Sequence, residues 1–251
     1  MDLNIPDTRQ QILERRLASG VQIVAADVAR EFDISIDTVR RDLTALEISG
    51  KAHRVRGGAI PISKPAPSMH DKMAAEKKPP DAMIAAALEV LADHKTIILD
   101  GGFTVLALAQ ALRPSIGLLV ITPSPWVAIA CLQNNVETLM LGGRLNANGG
   151  IAVGGDCELQ LAGVAAEVAV LGACGIDPEF GLSSDDVHES GIKREMARAA
   201  NQTVVLADAT KIGLRARHRT LAPTEITSII TDAAAPDCTT YRKHGIAITH
   251  V

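Results

Sequence analysis

Residues Ser35 to Leu43 read SIDTVRRDL, and this segment is the most informative about the structure of the first 60 residues. Serine is a favoured N-cap residue, and the apolar positions that follow it repeat at the spacing of one helix face. The sequence therefore predicts a helix that begins after Ser35, is closed by Gly50, and has an apolar face formed by Ile36, Val39, Leu43 and Leu46. The outward face near its start carries Thr38, Arg40 and Arg41.

Two shorter helices are expected before this one. Leu13 and Leu17 recur at helical spacing behind Pro6, and a second helix is expected over about Val24 to Phe32. Three helices in this order are typical of a helix-turn-helix, whose last helix enters the DNA major groove with its N-terminal turns. Arginine there can donate two hydrogen bonds to a guanine edge.

A β-hairpin is expected after the third helix. Residues 51–58 read KAHRVRGG, which alternates and then ends in glycine, so we predict a wing whose Lys51, Arg54 and Arg56 meet phosphates. Residues 38–58 hold five Lys or Arg and two acidic residues, a local charge of +3, although residues 1–60 carry nine of each sign. Charge alone leaves an ordinary solvated helix face equally open.

The composition of the whole chain excludes several classes of protein. The chain has 251 residues, a net charge of −4 and a 2% aromatic content, which disfavours base-stacking platforms for single strands. No apolar run of about 18 residues and no signal-peptide pattern is present, so we expect a cytoplasmic protein without membrane contact. The four cysteines and seven histidines show no metal-ligand spacing, and we expect neither a metal nor a cofactor.

The chain divides at a proline-rich stretch. Residues 61–80 hold five of the 12 prolines, with Lys and Ser between them, and we expect a semi-rigid, exposed connector. This gives a DNA-binding domain over residues 1–60, a linker over 61–80 and a second domain over 81–251.

The second domain is predicted to be an α/β domain with a mainly parallel sheet. Apolar β-rich runs alternate with helical stretches and end in polar or glycine residues, at Thr96–Leu99, Leu118–Ile121, Thr138–Leu141, Val168–Leu171 and Val204–Ala207. Ligands of open sheets bind beyond the carboxyl ends of the strands. We therefore expect a small-molecule cleft there.

The residues at those strand ends favour a phosphorylated ligand. Gly101 and Gly102 permit close approach of the backbone, and a helix that starts near Thr104 offers free N–H groups to an anion. Lys193 and Lys211 are candidate cations, while sugar hydroxyls have candidate acceptors in Asp100, Glu189 and Asp208. Taken singly, each residue is better explained as a turn cap, a tight loop or a solvated surface charge than as a ligand contact.

The front segment resembles the N-terminal domain of the DeoR family of bacterial transcription regulators. The family usually shows S-x-x-T-I-R-R-D-L and then R-V-H-G-G-A, which match Ser35–Leu43 and Arg54–Ala59 in register. Val24 stands where the family often has a Ser or Thr cap, and Arg56 replaces the usual histidine. The resemblance implies DNA binding by Ser35, Thr38, Arg40, Arg41, Lys51, Arg54 and Arg56.

The second domain resembles the DeoR sensor domain, whose fold is shared with ribose-5-phosphate isomerase and glucosamine-6-phosphate deaminase. The family's D-x-G-[ST]-T, T-N-S and L-G-G patterns correspond to residues 100–104, 122–124 and 141–143, and its later acidic and lysine motifs to residues 181–213. The resemblance implies a homodimeric or homotetrameric repressor of carbohydrate-metabolism genes, released from or held on operator DNA by a sugar phosphate. The implied effector residues are Asp100, Gly101, Gly102, Phe103, Thr104, Thr122, Ser124, Gly142, Gly143, Arg144, Asp186, Glu189, Lys193, Asp208 and Lys211.

Three departures from the sensor pattern bear on the ligand. Phe103 replaces a hydroxyl in the expected phosphate loop, Pro123 replaces an asparagine, and Pro79-Pro80 interrupts the family's E-K-x-x-I-A run. Our hypothesis is a ligand with a different or less anionic head group, or weak binding.

Two other functions stay open from the sequence. A sugar-phosphate isomerase or deaminase would need a carboxylate base and a cation near the oxyanion, for which Asp208, Glu189 and Lys211 are candidates. A constitutive DNA-binding protein with an inactive sensor domain would fit the changes at Phe103 and Pro123. The helix-turn-helix and wing in register favour a regulator over an enzyme, and we expect no catalytic residues.

Overall fold

The computed structural model describes residues 5–18, 21–61, 68–75 and 78–251, without the side chains of residues 236 and 237. The N-terminal domain contains α1 (Pro6–Ala18), β1 (Ile23–Val24), α2 (Ala25–Glu31), α3 (Ile36–Ile48), β2 (His53–Val55) and β3 (Gly58–Ile60). The three strands form an antiparallel sheet in the order β1-β3-β2. This is a winged helix-turn-helix, as the sequence predicts.

Helix α3 begins where the sequence places it. The Ser35 hydroxyl accepts a hydrogen bond from the Thr38 backbone N–H at 3.1 Å, and Asp33 turns the chain with a φ of 52°. Val39, Leu43 and Leu46 are buried in the domain core. The prediction that Ile36 shares this buried face is wrong, because Ile36 lies in the first helical turn and is 39% exposed beside the wing.

A buried ion pair that the sequence analysis missed joins α1 to α3. The Arg9 guanidinium donates to the Asp42 carboxylate at 2.8 and 3.3 Å, and the Gln10 amide donates to the same carboxylate at 3.1 Å. Both charged side chains are about 5% exposed. The predicted local charge of +3 over residues 38–58 includes Asp42 as a surface group. In the structure its carboxylate faces inward and fixes α3 on α1.

The wing replaces the missing cap of α2. Val24 forms no side-chain cap hydrogen bond, as its residue type predicts. Instead, the Ala25 N–H donates to the Gly57 carbonyl at 2.8 Å, so the wing satisfies the first turn of α2. This contact needs the adjacent glycine, since a Cβ on Gly58 would lie 1.8 Å from the Ile23 carbonyl oxygen.

The second half of the proline-rich segment differs from the expected exposed connector. It contains α4 (Met69–Ala74), which starts with a capping box formed by Ser68 and Asp71. Met69 is 3% exposed and packs in the core of the second domain. The S-x-x-D capping signal and the apolar Met69 outweigh the prolines, lysines and serines that favour an exposed connector there. The residues between 61 and 68 lie outside the described part.

The second domain alternates strands and helices along the chain. Its helices are α5 (Asp81–Leu91), α6 (Phe103–Ala111), α7 (Pro125–Gln133), α8 (Gly155–Ala162), α9 (Val187–Arg198) and α10 (Thr239–Lys243). Its strands are β4 (Thr96–Leu99), β5 (Leu119–Thr122), β6 (Glu137–Met140), β7 (Arg144–Leu145), β8 (Ala152–Val153), β9 (Ala166–Gly172), β10 (Gly175–Asp177), β11 (Gly181–Ser184), β12 (Ala200–Leu206), β13 (His218–Leu221), β14 (Ser228–Thr231) and β15 (Ala247–His250). Short 3₁₀ turns cover Ala209–Lys211, Pro223–Glu225 and Ala235–Cys238.

Seven of these strands form one parallel sheet in the order β15-β14-β12-β9-β4-β5-β6. A separate apolar core covers each face, so four of the five apolar runs found in the sequence are largely buried, as predicted. The prediction is wrong for the run Thr138–Leu141, because β6 is an edge strand in which Leu139 and Met140 are 46% and 43% exposed. The strand order runs outward in both directions from the neighbours β4 and β9, which makes their carboxyl ends the topological switch point. Strands β14 and β15 were not predicted, nor was the antiparallel sheet β10-β11-β13, whose β11 was interpreted only as part of a motif.

The described residues contain neither a membrane-spanning helix nor a cluster of metal ligands. No described helix combines the length and apolar character needed to span a bilayer. Among the same residues, no group of three or more His, Cys, Asp or Glu side chains is placed to hold a metal ion.

Loss of the Asp42 carboxylate is expected to unfold the N-terminal domain at lower denaturant. Asp42→Ala leaves the buried Arg9 guanidinium without its carboxylate, which costs about 3–5 kcal/mol, whereas the double variant Arg9→Met/Asp42→Leu recovers most of the loss. In urea titrations of the full chain, the circular-dichroism transition should move while Trp126 fluorescence, which reports the second domain, stays unchanged. Asp27→Asn, which breaks an exposed pair with Arg30, is the matched control and should change stability by less than about 1 kcal/mol. Equal losses in Asp42→Ala and Asp27→Asn would contradict the role of the buried pair.

Candidate functional site

A cleft of about 480 Å³ opens at the switch point of the parallel sheet. Its floor is formed by the segments that follow β4, β9 and β12, and α4, α9 and the loop at Asn148 and Gly149 form its walls. Nine residues predicted for the effector line it, namely Asp100, Gly101, Gly102, Phe103, Thr104, Glu189, Lys193, Asp208 and Lys211. The fold therefore brings nine of the fifteen predicted effector residues together in this cleft.

Asp100 and Lys193 form a buried ion pair at the centre of the cleft. Asp100 is 1% exposed, and its Oδ2 accepts from the Lys193 ammonium and from the Gly172 N–H at 2.9 Å. The ammonium also donates to the Gly172 carbonyl at 2.8 Å. Burial lowers the pKa of Lys193, while Asp100, Cys174 and Glu189 raise it, and the net effect is a raised pKa. The charge of Lys193 is thus already held by the protein.

The other Asp100 oxygen is an unused acceptor. No donor among the described residues reaches its buried Oδ1, which a folded protein rarely leaves unsatisfied. Because Asp100 lines the cleft, a hydroxyl of a bound ligand is the natural partner for this oxygen.

Helix α6 presents an uncapped N-terminus to the same cleft. Gly102 precedes it with a φ of 93° and supplies no side-chain cap, so the first N–H groups of the helix are open to a ligand. Gly101 is required here, since a Cβ would lie 2.1 Å from the Ile151 side chain. Open N–H groups and the positive end of the helix dipole favour an anion.

Glu189 is held at the opposite wall by the start of α9. Asp186 caps that helix by accepting from the N–H groups of His188 and Glu189 at 2.9 and 3.0 Å. The Glu189 carboxylate lies against Gly149, where a Cβ would come within 2.0 Å of Oε1. Burial raises the pKa of Glu189; Lys193 and Lys72 oppose this and the neighbouring carboxylates Asp100 and Asp186 add to it.

The third wall combines Asp208 and Lys211 with a lysine that the sequence analysis missed. Asp208 caps the 3₁₀ turn after β12 by accepting from the Thr210 N–H at 2.9 Å and from the Thr210 hydroxyl, and Lys211 ends that turn. Lys72 reaches the cleft from α4. Its residue type and its capped helix were visible in the sequence, but the whole segment had been interpreted as a linker.

Six predicted effector residues lie outside the cleft lining. Thr122 and Ser124 are buried, and Ser124 caps α7 at 3.4 Å from the Val127 nitrogen. Gly142 donates to the Gln160 side-chain amide at 3.1 Å, Gly143 precedes β7, and the exposed Arg144 is the first residue of that strand. Asp186, the sixth, caps α9 and so positions Glu189 in the cleft.

The two unusual residues of the sensor pattern have different positions. Phe103 lines the cleft at the first turn of α6, where the family pattern has a hydroxyl. Pro123 is buried outside the lining, and its carbonyl accepts from the Ala152 N–H at 2.7 Å. The third departure, Pro79-Pro80, also lines the cleft. The changes at Phe103 and Pro79-Pro80 therefore alter the surface that a ligand would meet, and the change at Pro123 does not.

The predicted DNA-binding residues form an exposed face on the N-terminal domain. Arg40 and Arg54 line a shared groove of about 110 Å³ between α3 and the wing. Arg40 pairs with Asp37 at 2.8 Å, and Arg41 donates to the Asp37 carbonyl at 3.3 Å. Arg54 donates to the Thr44 hydroxyl at 3.0 Å, so its guanidinium is held close to α3.

The remaining residues of this prediction flank the groove. Ser35 and Thr38 stand at the start of α3, with their hydroxyl oxygens 2.8 Å apart. Arg56 is exposed in the turn between β2 and β3. Lys51 pairs with Glu14 of α1 at 2.8 Å, which partly neutralises it.

Two family profiles match this chain, one over each of its two domains. The profile described as "DeoR C terminal sensor domain" matches residues 76–233, and the profile described as "DeoR-like helix-turn-helix domain" matches residues 9–64. The chain belongs to the DeoR family. This DeoR-family protein is accordingly a DNA-binding transcriptional regulator with a sensor domain.

Curated relatives resemble the DeoR-family chain over nearly its whole length. It is 30% identical over 230 residues to the HTH-type transcriptional regulator GolR of Listeria innocua, covering 90% of this chain and 91% of the relative. It is 29% identical over 249 residues to the putative aga operon transcriptional repressor of Escherichia coli O157:H7, covering 96% and 92%. Among solved structures, ribose 5-phosphate isomerase A of Methanocaldococcus jannaschii matches 53% of this chain and 52% of its own, with 17% identity and a TM-score of 0.39.

The raised pKa of Glu189 gives the stability a defined pH dependence. A folded-state pKa above the ordinary 4.5 means that the folded chain binds this proton more tightly than the unfolded chain, so the wild type loses stability as pH rises through that window. Glu189→Gln should therefore melt about 2–4 °C above the wild type at neutral pH, with the difference shrinking toward pH 4.5. Thermal scans across pH measure this. Glu137→Gln, on the exposed edge strand β6, should show a pH-independent difference, and a pH-independent difference for Glu189→Gln would contradict the assignment.

Proposed function

We propose that this DeoR-family regulator is a repressor of carbohydrate-metabolism genes whose operator binding is modulated by a sugar phosphate or a related phosphorylated metabolite. Family membership supports the regulator, and the printed name of the aga operon relative supports repression. The effector class is supported by the chemistry of the cleft.

The observation that carries the effector proposal is the pairing of two unmet hydrogen-bonding needs in one cleft. The first N–H groups of α6 have no side-chain cap as acceptor, and an anion would supply one. The Oδ1 of Asp100 has no donor, and a ligand hydroxyl would supply one. A sugar phosphate carries both groups on one small molecule. The cleft volume of about 480 Å³ lies in the ordinary range for small-molecule sites.

The proposed effector contacts follow from that arrangement. The phosphate sits at the start of α6, beside Gly102, Phe103 and Thr104, with Lys211 as its mobile countercharge. Hydroxyls are recognised by Asp100 and Glu189. Of the six predicted residues outside the lining, Asp186 acts by capping α9 and holding Glu189 in place.

The proposed DNA contacts divide by chemistry. Arg40 and Arg41 on α3 read base edges, since they leave the start of a helix that enters the major groove. Arg54, Arg56 and Lys51 on and beside the wing meet phosphates, which sets affinity and not sequence. A homodimer or homotetramer would present two such domains to half-sites about 34 Å apart. Operator DNA and phosphorylated metabolites place this activity in the cytoplasm.

The cleft argues against a catalytic role. The Asp208 carboxylate, a candidate base, is engaged by the backbone and hydroxyl of Thr210, and the Lys193 ammonium is engaged by Asp100. The Lys193 ammonium is therefore committed to the ion pair, and one oxygen of Asp208 is committed to capping the 3₁₀ turn. A constitutive regulator with an inactive sensor domain is disfavoured because Pro123 lies outside the cleft lining.

Removing the two α3 guanidinium groups is expected to abolish sequence preference. Each bidentate contact with a base contributes about 1–3 kcal/mol of discrimination, so Arg40→Ala/Arg41→Ala should bind selected and random duplexes alike. Fluorescence anisotropy on duplexes that wild-type protein selects from a random library measures this. Arg56→Ala is the control for phosphate contacts, since it should weaken all duplexes equally and lower the salt slope by about one. Wild-type selectivity in the double variant would contradict the assignment of α3.

Isothermal titration of the full chain tests the effector class. Sugar phosphates should bind at least tenfold more tightly than the same sugars without phosphate, because only they satisfy the start of α6. Phe103→Ser restores a hydroxyl donor, worth about 0.5–1.5 kcal/mol, and should tighten aldose-phosphate binding severalfold. Micromolar binding of an ordinary aldose phosphate by the wild type would show that Phe103 is harmless. Equal affinity for phosphorylated and plain sugars would reject the phosphorylated effector.

A further inference from the structure

One wall of the effector cleft is built by a segment that precedes the sensor domain in the chain. Helix α4 lies outside the matched sensor region, residues 76–233, and also beyond the helix-turn-helix match, residues 9–64. Four of the residues that line the cleft come from this segment, namely Met69, Asp71, Lys72 and Ala75. The connection between the two domains is therefore part of the binding site.

Helix α4 is seated on the sensor domain by a few definite contacts. The Met69 N–H donates to the Asn148 carbonyl at 2.8 Å, and the Met69 side chain is 3% exposed. Gly150 makes this seat possible, because a Cβ there would lie 3.2 Å from Met69 and 3.3 Å from the Trp126 indole nitrogen. Trp126 is the single tryptophan of the chain, so it adjoins the seat of α4.

Lys72 points from this helix into a cluster of like charges. It is half-buried in the cleft lining, and its ammonium has no hydrogen bond or ion pair among the described residues. Burial lowers the pKa of Lys72, Cys174 and Glu189 oppose this, and the nearby charges of Lys211 and Lys193 lower it further. Asp100 is already taken up by Lys193. A half-buried ammonium that lies near two other lysines and has no side-chain partner would be stabilised by an anion.

We propose that Lys72 binds the anionic group of the effector, so that the effector fastens the interdomain segment to the sensor domain. The inference rests on the proposed phosphorylated effector and adds a ligand supplied by α4. The anion then lies between the start of α6, Lys211 and Lys72, and its charge relieves the repulsion among the lysines.

The position of Lys72 gives effector binding a direct route to the DNA-binding domain. From Ile60, the end of the wing, to Ser68, the cap of α4, there are eight peptide units, which span at most about 28 Å. Fixing α4 on the sensor domain thus limits where the winged helix can lie. The maximum span of about 28 Å is shorter than the spacing of about 34 Å between successive half-sites of an operator. The position of α4 therefore restricts how the two DNA-binding domains of a dimer can reach both half-sites.

Titration of the full chain with inorganic phosphate, at constant ionic strength, tests the proposal. Trp126 fluorescence and the melting temperature are the two readouts. Lys72→Gln should bind phosphate at least tenfold more weakly than the wild type, and Lys72→Arg should stay within about threefold of it, because the charge is kept. Lys95→Gln, an exposed lysine at the opposite end of β4, is the matched control and should bind as the wild type does.

The melting temperature without phosphate separates binding from folding. If Lys72 serves only the anion, Lys72→Gln removes an unpaired charge and should melt at or above the wild-type temperature before phosphate is added. A lower melting temperature there, with phosphate affinity retained, would assign Lys72 a structural role and overturn the proposal.

The remaining outcomes are distinct from a failure of the proposed function. Equal phosphate binding by wild type and Lys72→Gln overturns this inference and leaves the anionic effector intact. An equal loss in Lys78→Gln, an exposed lysine at the rim of the same cleft, would assign the effect to total charge and also overturn it. No response of the wild type to phosphate would reject the anion site and this inference with it.

Discussion

The ion pair between Asp100 and Lys193 is the interaction on which the sensor domain depends. It joins the end of β4 to α9 and, through Gly172, to the end of β9, so it ties together the two central strands where the sheet changes direction. A buried carboxylate is stable only with a cation and hydrogen bonds around it. The pair also decides what is left for a ligand, since it uses one Asp100 oxygen and the lysine charge and leaves the second oxygen open.

The N-terminal domain uses the same device at a different place. Arg9 and Asp42 are buried between α1 and α3, and this pair fixes the helix that carries Arg40 and Arg41. In both domains a buried ion pair fixes the helix that carries the binding surface. The charged side chains of that surface have few partners within the protein. Rigid support beneath adaptable polar groups is what a binding surface needs in order to keep its geometry.

The sequence predicts much of this arrangement because the signals are local. Ser35 caps α3, and Asp100 to Thr104 carry β4 into α6, as their residue types and spacing indicate. What the sequence hides is long-range. The partner of Asp42 lies 33 positions away and that of Asp100 lies 93 positions away, and no spacing rule connects them. Lys72 is hard to predict for another reason. It lies in a short capped helix within a stretch of five prolines, and prolines favour an extended connector.

The hydrogen bond from Ala25 to the Gly57 carbonyl sets an order of assembly during synthesis. Helix α2 lacks a side chain that could close its own first turn, so its start is completed only by residues that are made about 30 positions later. The strand pairing between β1 and β3 has the same requirement. A nascent chain therefore cannot complete the start of α2 or the β1–β3 pairing until the wing has left the ribosome.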